Sequence, residues 1–158
     1  MKRVLVANRG EIAVRVIRAC HELGLEAVAV YSTADREGSW VRLADRAVCI
    51  GPPAARDSYL NQSNVIGAAE TTGCDALHPG YGFLSESPSF VRACEDNDLI
   101  FIGPTPESME VLGDKSLAKG AMRDAGMPLV PGSEGRLASV DDAQPVEFGQ
   151  PLFELAPL

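Results

Sequence analysis

The sequence lacks any long apolar run, and none of its hydrophobic stretches approaches the roughly 18 residues that a membrane-spanning helix needs. The first apolar stretch, residues 4–7, is too short for the hydrophobic region of a signal peptide. Basic residues are also few, since 14 Lys and Arg stand against 22 Asp and Glu, for a formal net charge of −8. A nucleic-acid partner normally needs a basic face. We therefore expect a cytoplasmic protein with neither a membrane nor a nucleic-acid partner.

Cysteine pairs with the spacing of metal ligands are absent too. The four cysteines stand at Cys20, Cys49, Cys74 and Cys94, with no C-x-x-C pair and no histidine run beside them. Zinc sites need closely spaced ligands, so no metal site is expected. The pattern predicts buried free thiols, which suit a reducing compartment.

The glycine fingerprint of dinucleotide-binding proteins is missing as well. The first apolar strand, residues 4–7, is followed by Asn8-Arg9-Gly10 and not by G-x-G-x-x-G. That fingerprint is what brings a backbone close to a pyrophosphate. The sequence therefore does not predict NAD or FAD binding.

Short apolar strands that alternate with helical segments are what the sequence does contain. Hydrophobic residues make up 46% of the chain, which indicates a globular protein. Strands are predicted at residues 4–7, 26–31, 47–50, 76–78 and 99–102. Helices are predicted at residues 11–23, around 65–69 with closure at Gly73, after Ser87-Pro88, after Thr105-Pro106, and at 115–125. This alternation predicts an α/β fold with a doubly wound, Rossmann-like parallel sheet.

Residues 78–86 form the chemically densest segment, His-Pro-Gly-Tyr-Gly-Phe-Leu-Ser-Glu, directly after a predicted strand. Glycines let a backbone approach a ligand, and open α/β sheets place their sites at the carboxyl ends of strands. The segment is therefore a candidate ligand loop. A tight turn without a ligand is the alternative that the residues alone leave open.

Six ordered stretches, taken together, resemble the N-terminal domain of biotin carboxylase, over residues 1–143. They are residues 6–13, 32–35, 43–45, 78–86, 102–104 and 113–115. Biotin carboxylase is the ATP-dependent component of acetyl-CoA and related carboxylases. The resemblance implies a pre-ATP-grasp domain, followed in the family by a lid and a C-terminal domain that supply most of the chemistry. ATP and biotin are the ligands it implies.

Single residues can be assigned roles by this resemblance. Lys115 matches a lysine that contacts the nucleotide, although an ordinary solvated lysine at a helix start is the alternative. Tyr81 and Gly82 match the loop beside the biotin ring. Glu86 matches a carboxylate that helps hold this region, or it is simply a carboxylate near a helix N-terminus.

A dimer is also implied, because Arg15, Arg18 and Glu22 match positions near the two-fold interface of the family. By spacing alone, these residues are equally the polar face of the first helix. Losing the other domains would also expose apolar surface and favour self-association. We therefore expect a homo-oligomer, with biotin carboxylase or its carrier protein as further partners.

The catalytic elements of the family are not found in the sequence. No second ATP lysine, glycine-rich lid or metal-binding glutamates follow, and only Arg123 and Arg136 carry positive charge beyond Lys119. Phosphoryl transfer depends on positioning and charge neutralisation, and enzymic catalysis requires about 8 kcal/mol or more. We therefore predict no catalytic residue, no metal site and no carboxylase activity for the chain alone.

The last residues resemble a different protein. Residues 144–158 look like the C-terminal β-hairpin of a biotin carboxyl carrier domain, without its Met-Lys-Met attachment site. A helix start at residues 139–143 is contradicted at once by Pro145. The predicted organisation is thus a domain at 1–132, a linker at 133–143 and a β tail at 144–158, whose strand could also join a sheet edge.

Two functional hypotheses follow. The first is a truncated biotin carboxylase-like domain, inactive alone, that serves as a binding, dimerisation or regulatory module. The second is a carboxylase fragment that is active only when a separate chain supplies the ATP-grasp parts.

Overall fold

Five parallel strands form the sheet of this protein, whose computed structural model describes residues 1–129. The strands are β1 (Arg3–Val6), β2 (Glu26–Ser32), β3 (Arg46–Gly51), β4 (Ala76–His78) and β5 (Ile100–Phe101). Their order in the sheet is β3-β2-β1-β4-β5, and every pairing is parallel. The central strand β1 pairs on both sides, with Val4 opposite Ala27 and Ala76. The predicted doubly wound parallel sheet is therefore confirmed.

Six helices accompany the strands in residues 1–129. They are α1 (Gly10–Glu22), α2 (Ser39–Leu43), α3 (Gln62–Thr72), α4 (Pro88–Asp96), α5 (Pro106–Gly113) and α6 (Lys115–Asp124). The predicted boundaries hold at α3, which ends where Gly73 turns left-handed at φ 66°. They also hold at α4, where the Ser87 hydroxyl accepts a hydrogen bond from the backbone N–H of Phe90.

The short helix α2 was not predicted, and neither were two 3-10 turns at Thr33–Asp35 and Ala55–Asp57. A helix of five residues is too short to display a helical period. It is held by Trp40, whose buried indole N–H donates to the carbonyl of Val30 at 3.0 Å.

The sheet divides the core into two clusters because side chains alternate along each strand. One cluster joins Leu5, Val28 and Leu77 of the sheet to buried residues of α3 and α4. The other joins Val4, Ala29 and Ala76 to buried residues of α1 and α2. We call these the α3–α4 face and the α1–α2 face.

Three of the four cysteines are buried free thiols, as predicted. Burial raises the pKa of Cys94 to about 11, with the nearby Glu95 charge adding to it. The prediction was wrong for Cys49, which is exposed. This residue lies on the edge strand β3 and alternates away from Ile50, which faces the core.

Residues 1–110 make up one compact unit, and the residues from 111 onward belong to a second. The domain boundaries predicted at residues 132 and 143, and the predicted β tail, lie outside the described residues. Within residues 1–129, no helix combines the length and the apolar character needed to cross a bilayer.

Candidate functional site

The strand order reverses between β1 and β4. From β1 the chain proceeds outward to β2 and β3, and it then returns to the other side of β1 to form β4 and β5. In open α/β sheets, ligands bind at such a reversal, beyond the carboxyl ends of the strands. Residues 78–86, which we call the strand-end loop, lie at this reversal.

A buried asparagine fills the space between the ends of β1 and β4. Asn8 is only 3% exposed, and its side-chain amide donates to the carbonyls of Pro79 and Tyr81, each at 2.8 Å. Its Oδ1 atom accepts the backbone N–H of Arg9 at 2.9 Å. Asn8 therefore links the segment after β1 to the segment after β4 at the point of strand-order reversal.

The backbone of the strand-end loop is left-handed at three positions. Gly80 has φ 67°, Gly82 has φ 70° and Phe83 has φ 47°. A Cβ atom at Gly80 would lie 2.6 Å from Asn8 Nδ2 and 2.8 Å from the Ile12 side chain, whereas one at Gly82 would meet nothing within 4 Å. Gly80 is therefore required by a close approach, and Gly82 by its backbone conformation alone.

Phe83 is held in place by an aromatic partner and a cation. Its ring stacks on Tyr59 with centroids 5.0 Å apart. The Arg9 guanidinium lies 5.5 Å from the centroid of each ring, within the range of cation–π attraction. The less favourable positive φ of a non-glycine residue is thus supported by contacts from two other segments.

Asp35 connects this aromatic pair to the end of β2. Its Oδ2 atom accepts hydrogen bonds from the Tyr59 hydroxyl at 2.8 Å and from the Ser32 hydroxyl at 2.7 Å, and it lies 3.8 Å from Arg9. The Tyr59 oxygen in turn accepts the backbone N–H of Ser32. Burial, together with the hydrogen bond to Asp35, raises the pKa of Tyr59 well above its usual range, so the phenol stays protonated.

His78 begins the strand-end loop in its neutral form. Its Nδ1 atom accepts the backbone N–H of Gly80 at 3.0 Å, so the ring proton belongs on Nε2. Burial lowers the pKa of His78 below its ordinary value.

An apolar pocket of about 570 Å³ lies beside His78 on the α1–α2 face. Its lining includes Ile12 and Val16 of α1, together with Val4, Gly80 and Ile102. The pocket was not predicted, because its lining comes from four separate parts of the chain.

The three loop residues that the resemblance assigned to the biotin side are all exposed. Tyr81 is 79% exposed, and Gly82 and Glu86 face solvent as well. Glu86 directly precedes Ser87, the N-cap of α4. The structure places the three within one short loop. Its backbone accepts hydrogen bonds from Asn8, and its Phe83 ring stacks on Tyr59.

The other predicted residues lie elsewhere. Lys115 is the first residue of α6, after the N-cap Asp114, and belongs to the second compact unit. Arg15, Arg18 and Glu22 are exposed on α1 and line one shallow depression together with Glu11 and Val14.

The residues that hold the loop were missed as functional candidates. Asn8 and Arg9 belong to residues 6–13, one of the stretches that carry the resemblance. Nothing in the sequence, however, indicates that they contact a segment some 70 positions away. Asp35 and Tyr59 were missed for the same reason. A polar side chain immediately after a buried strand is the one local signal that could have found Asn8.

The strand-end loop presents a surface whose backbone is fixed by hydrogen bonds to Asn8. No group of three or more His, Cys, Asp or Glu side chains that could hold a metal ion occurs in residues 1–129. The strand-end loop offers an exposed aromatic side chain, a glycine backbone and a carboxylate to a ligand.

A model of the biotin carboxylase N-terminal domain matches residues 1–109. The chain belongs to this family. Biotin carboxylase 1 of Bacillus subtilis (strain 168) is 50% identical over 155 residues, which are 97% of this chain and 34% of that protein.

Solved biotin carboxylases share the fold. A biotin carboxylase–β-γ-ATP complex from Campylobacter jejuni superposes with a TM-score of 0.87 at 47% identity, over 90% of this chain and 32% of the other. The biotin carboxylase domain dimer of Hydrogenobacter thermophilus 2-oxoglutarate carboxylase, in complex with MgADP, ADP and bicarbonate, gives a TM-score of 0.83 at 48% identity. That match covers 89% of this chain and 31% of the other. The chain thus spans about a third of the length of these relatives.

The comparisons do not support a carrier-protein tail. The Bacillus subtilis relative is a biotin carboxylase, and its alignment covers 97% of the chain, so it extends into residues 144–158. The predicted change of family at residue 144 has no counterpart in that match, and the segment itself lies outside the described residues.

Proposed function

We propose that this chain provides the biotin-side wall of a carboxylase active site, through the strand-end loop. The observation that carries the proposal is the fixed presentation of Tyr81, which is exposed while the loop behind it is tied to β1 by Asn8. Exposed aromatic side chains on a preordered loop lose little entropy when a planar ring packs on them. Tyr81 and Gly82 would lie against the biotin ring, and Glu86 would support the loop end.

Titration with free biotin tests this proposal directly. Chemical shifts of the chain labelled with ¹⁵N should change at the amides of residues 80–86 and saturate with biotin. Tyr81→Ala should weaken binding at least several-fold, whereas Ile100→Ala, which removes another exposed apolar side chain on the edge strand β5, should not. Saturable shifts that are equal in both variants would place biotin elsewhere.

ATP is the second ligand that the family suggests, and Lys115 is the residue we propose for it. At the start of α6 its ammonium group is suited to neutralising a phosphate. Comparing ATP binding by the wild-type chain and by Lys115→Ala, with Lys119→Ala as the control on the same helix, tests this assignment.

We further propose that the 158-residue polypeptide does not turn over by itself and acts as a binding, dimerisation or regulatory module. The described residues offer no metal-binding cluster, and catalysis requires about 8 kcal/mol or more of barrier lowering. Biotin- and bicarbonate-dependent ATP cleavage should be absent. Activity from the pure polypeptide would contradict the proposal.

The alternative is a fragment that becomes active when a second chain supplies the remaining domains. The chain spans about a third of its relatives and superposes on them with TM-scores above 0.8, which makes such complementation feasible. Adding a separately purified polypeptide that carries the other two thirds of a biotin carboxylase should then restore ATP cleavage. No activity in the mixture would favour the module.

The exposed face of α1 is our proposed dimer contact. Arg15, Arg18 and Glu22 line one depression with both charge signs, so two copies can pair opposite charges across a two-fold axis. Arg18→Glu should shift a dimer toward monomer in sedimentation experiments. Arg42→Glu, a charge reversal on α2, serves as the control. An unchanged distribution would remove this face from the interface.

A further inference from the structure

We propose that Asn8 is a positioning residue for the strand-end loop, which it holds in the conformation that meets biotin. The inference rests on the proposed function of the loop, and it assigns the geometry of the loop to a side chain outside it.

Every polar atom of the Asn8 side chain is engaged. Nδ2 donates to the carbonyls of Pro79 and Tyr81, and Oδ1 accepts from the backbone N–H of Arg9. Only one orientation of the amide satisfies all three bonds, since Nδ2 can only donate and Oδ1 can only accept. The two bonds to the loop therefore fix the carbonyls on either side of Gly80.

The bond to Tyr81 is the one that bears on the ligand. Tyr81 itself is exposed, and a Cβ atom added at Gly82 would meet nothing within 4 Å. In the described residues, Asn8 is the residue outside the loop whose side chain hydrogen-bonds the loop backbone between Pro79 and Phe83. Removing this donor would free the peptide that carries Tyr81 while leaving both core clusters in place.

Gly80 shows that the contact is close as well as polar. A Cβ atom there would lie 2.6 Å from Asn8 Nδ2 and 2.9 Å from Asn8 Cβ. The loop thus approaches Asn8 too closely for any side chain at residue 80. Gly80 and Asn8 therefore pack directly against each other.

Asn8→Asp is the sharpest variant, because it preserves the size of the side chain and replaces the double donor with an oxygen that faces two carbonyls. Asn8→Ala is the second variant and covers the case in which the aspartate prevents folding. Asn64→Asp is the control, since Nδ2 of Asn64 in α3 also donates to two carbonyls, those of Ile50 in β3 and Asp57 in a 3-10 turn.

Two measurements on the 158-residue chain decide the matter. Hydrogen exchange at the amides of Gly80 and Ser85, which donate to His78 Nδ1 and to the Gly82 carbonyl, reports loop order. NMR titration with free biotin reports the ligand surface. We expect at least tenfold faster exchange in the loop and at least tenfold weaker biotin binding in the Asn8 variants. Neither should change in the Asn64 control.

Each outcome has a distinct meaning. Unchanged loop exchange in both Asn8 variants overturns the positioning role, and so does faster exchange with unchanged biotin affinity. If the wild-type chain binds no biotin, the proposed function fails, and faster loop exchange in the variants still supports the control of loop geometry by Asn8.

Discussion

The two faces of the sheet differ in how completely they are covered. On the α3–α4 face, Leu5, Leu77 and Phe90 are fully buried, and the cluster also includes buried Ile50 and Leu99. On the α1–α2 face, Val4 and Ile17 are buried, but Ile102 is only partly covered and lines the apolar pocket. We therefore expect the larger buried cluster on the α3–α4 face to contribute more to stability, while the α1–α2 face retains apolar surface in the pocket.

A matched pair of truncations tests this difference and carries the largest expected effect. Leu77 of β4 is fully buried on the α3–α4 face, and its carbonyl accepts the backbone N–H of Ile102, which lines the pocket. Leu77→Ala should lower the free energy of unfolding by about 3 kcal/mol, and Ile102→Ala by about 1 kcal/mol, because the open site loses fewer contacts. Urea unfolding measures both values. Equal losses would show that the faces contribute alike.

Two glycines of the strand-end loop, of which Gly80 lines the pocket, sharpen the comparison. Gly80→Ala should cost about 2–3 kcal/mol, since strain at positive φ adds to a clash with Asn8 and Ile12. Gly82→Ala should cost only about 1 kcal/mol, because its new methyl group meets open space. Thermal unfolding of the two variants provides the measurement. A Gly82→Ala cost as large as that of Gly80→Ala would refute the close approach.

On the α3–α4 face, the hydroxyl of Tyr59 should contribute more than its apolar surroundings suggest. Tyr59→Phe leaves the N–H of fully buried Ser32 without its acceptor and removes one donor to Asp35, so we expect a loss of about 1–2 kcal/mol. Tyr81→Phe removes an exposed hydroxyl and should change stability by less than about 0.5 kcal/mol. Denaturant midpoints compare the two, and a neutral Tyr59→Phe would contradict the network.

The smallest effect is a pH dependence at the pocket. Because the folded pKa of His78 lies below its unfolded value of about 6.5, the unfolded chain binds the proton first as the pH falls. The contribution of neutral His78 to stability is full above that pH and is lost progressively below it. Protonation of Nδ1 also removes the acceptor for the Gly80 N–H. His78→Asn keeps an acceptor without titrating, so its urea midpoint should vary less between pH 7.5 and 5.5. Equal pH profiles would exclude His78 as the cause.

Local patterns predicted the features that depend on neighbouring residues. The β1 segment is a continuous apolar run because both of its faces are buried, and Ser87-Pro88 identified the start of α4 because capping involves residues three apart. The exposure of Cys49 could not be predicted, since it depends on the strand order that puts β3 at an edge.

The contacts that hold the strand-end loop, by contrast, join residues far apart in the sequence. Asn8 and Pro79 are 71 positions apart, and Tyr59 and Asp35 are 24 apart. No periodic pattern connects such residues, and Asn8 comes close to Pro79 because β1 pairs in parallel with β4. The composition of the loop and the family resemblance both pointed to it as a candidate site, but neither identified the residues that hold it.

The central place of β1 has a kinetic consequence. Its pairing with β2 joins residues close in sequence, such as Val4 and Ala27, whereas its pairing with β4 joins Val4 to Ala76. Contacts that close short loops tend to form early in folding, and distant ones later. We therefore expect the strand-end loop to become ordered after the folding transition state. Chevron analysis of Asn8→Ala should show faster unfolding with little change in the folding rate, so a weakened loop would shorten the lifetime of the native state without delaying its formation.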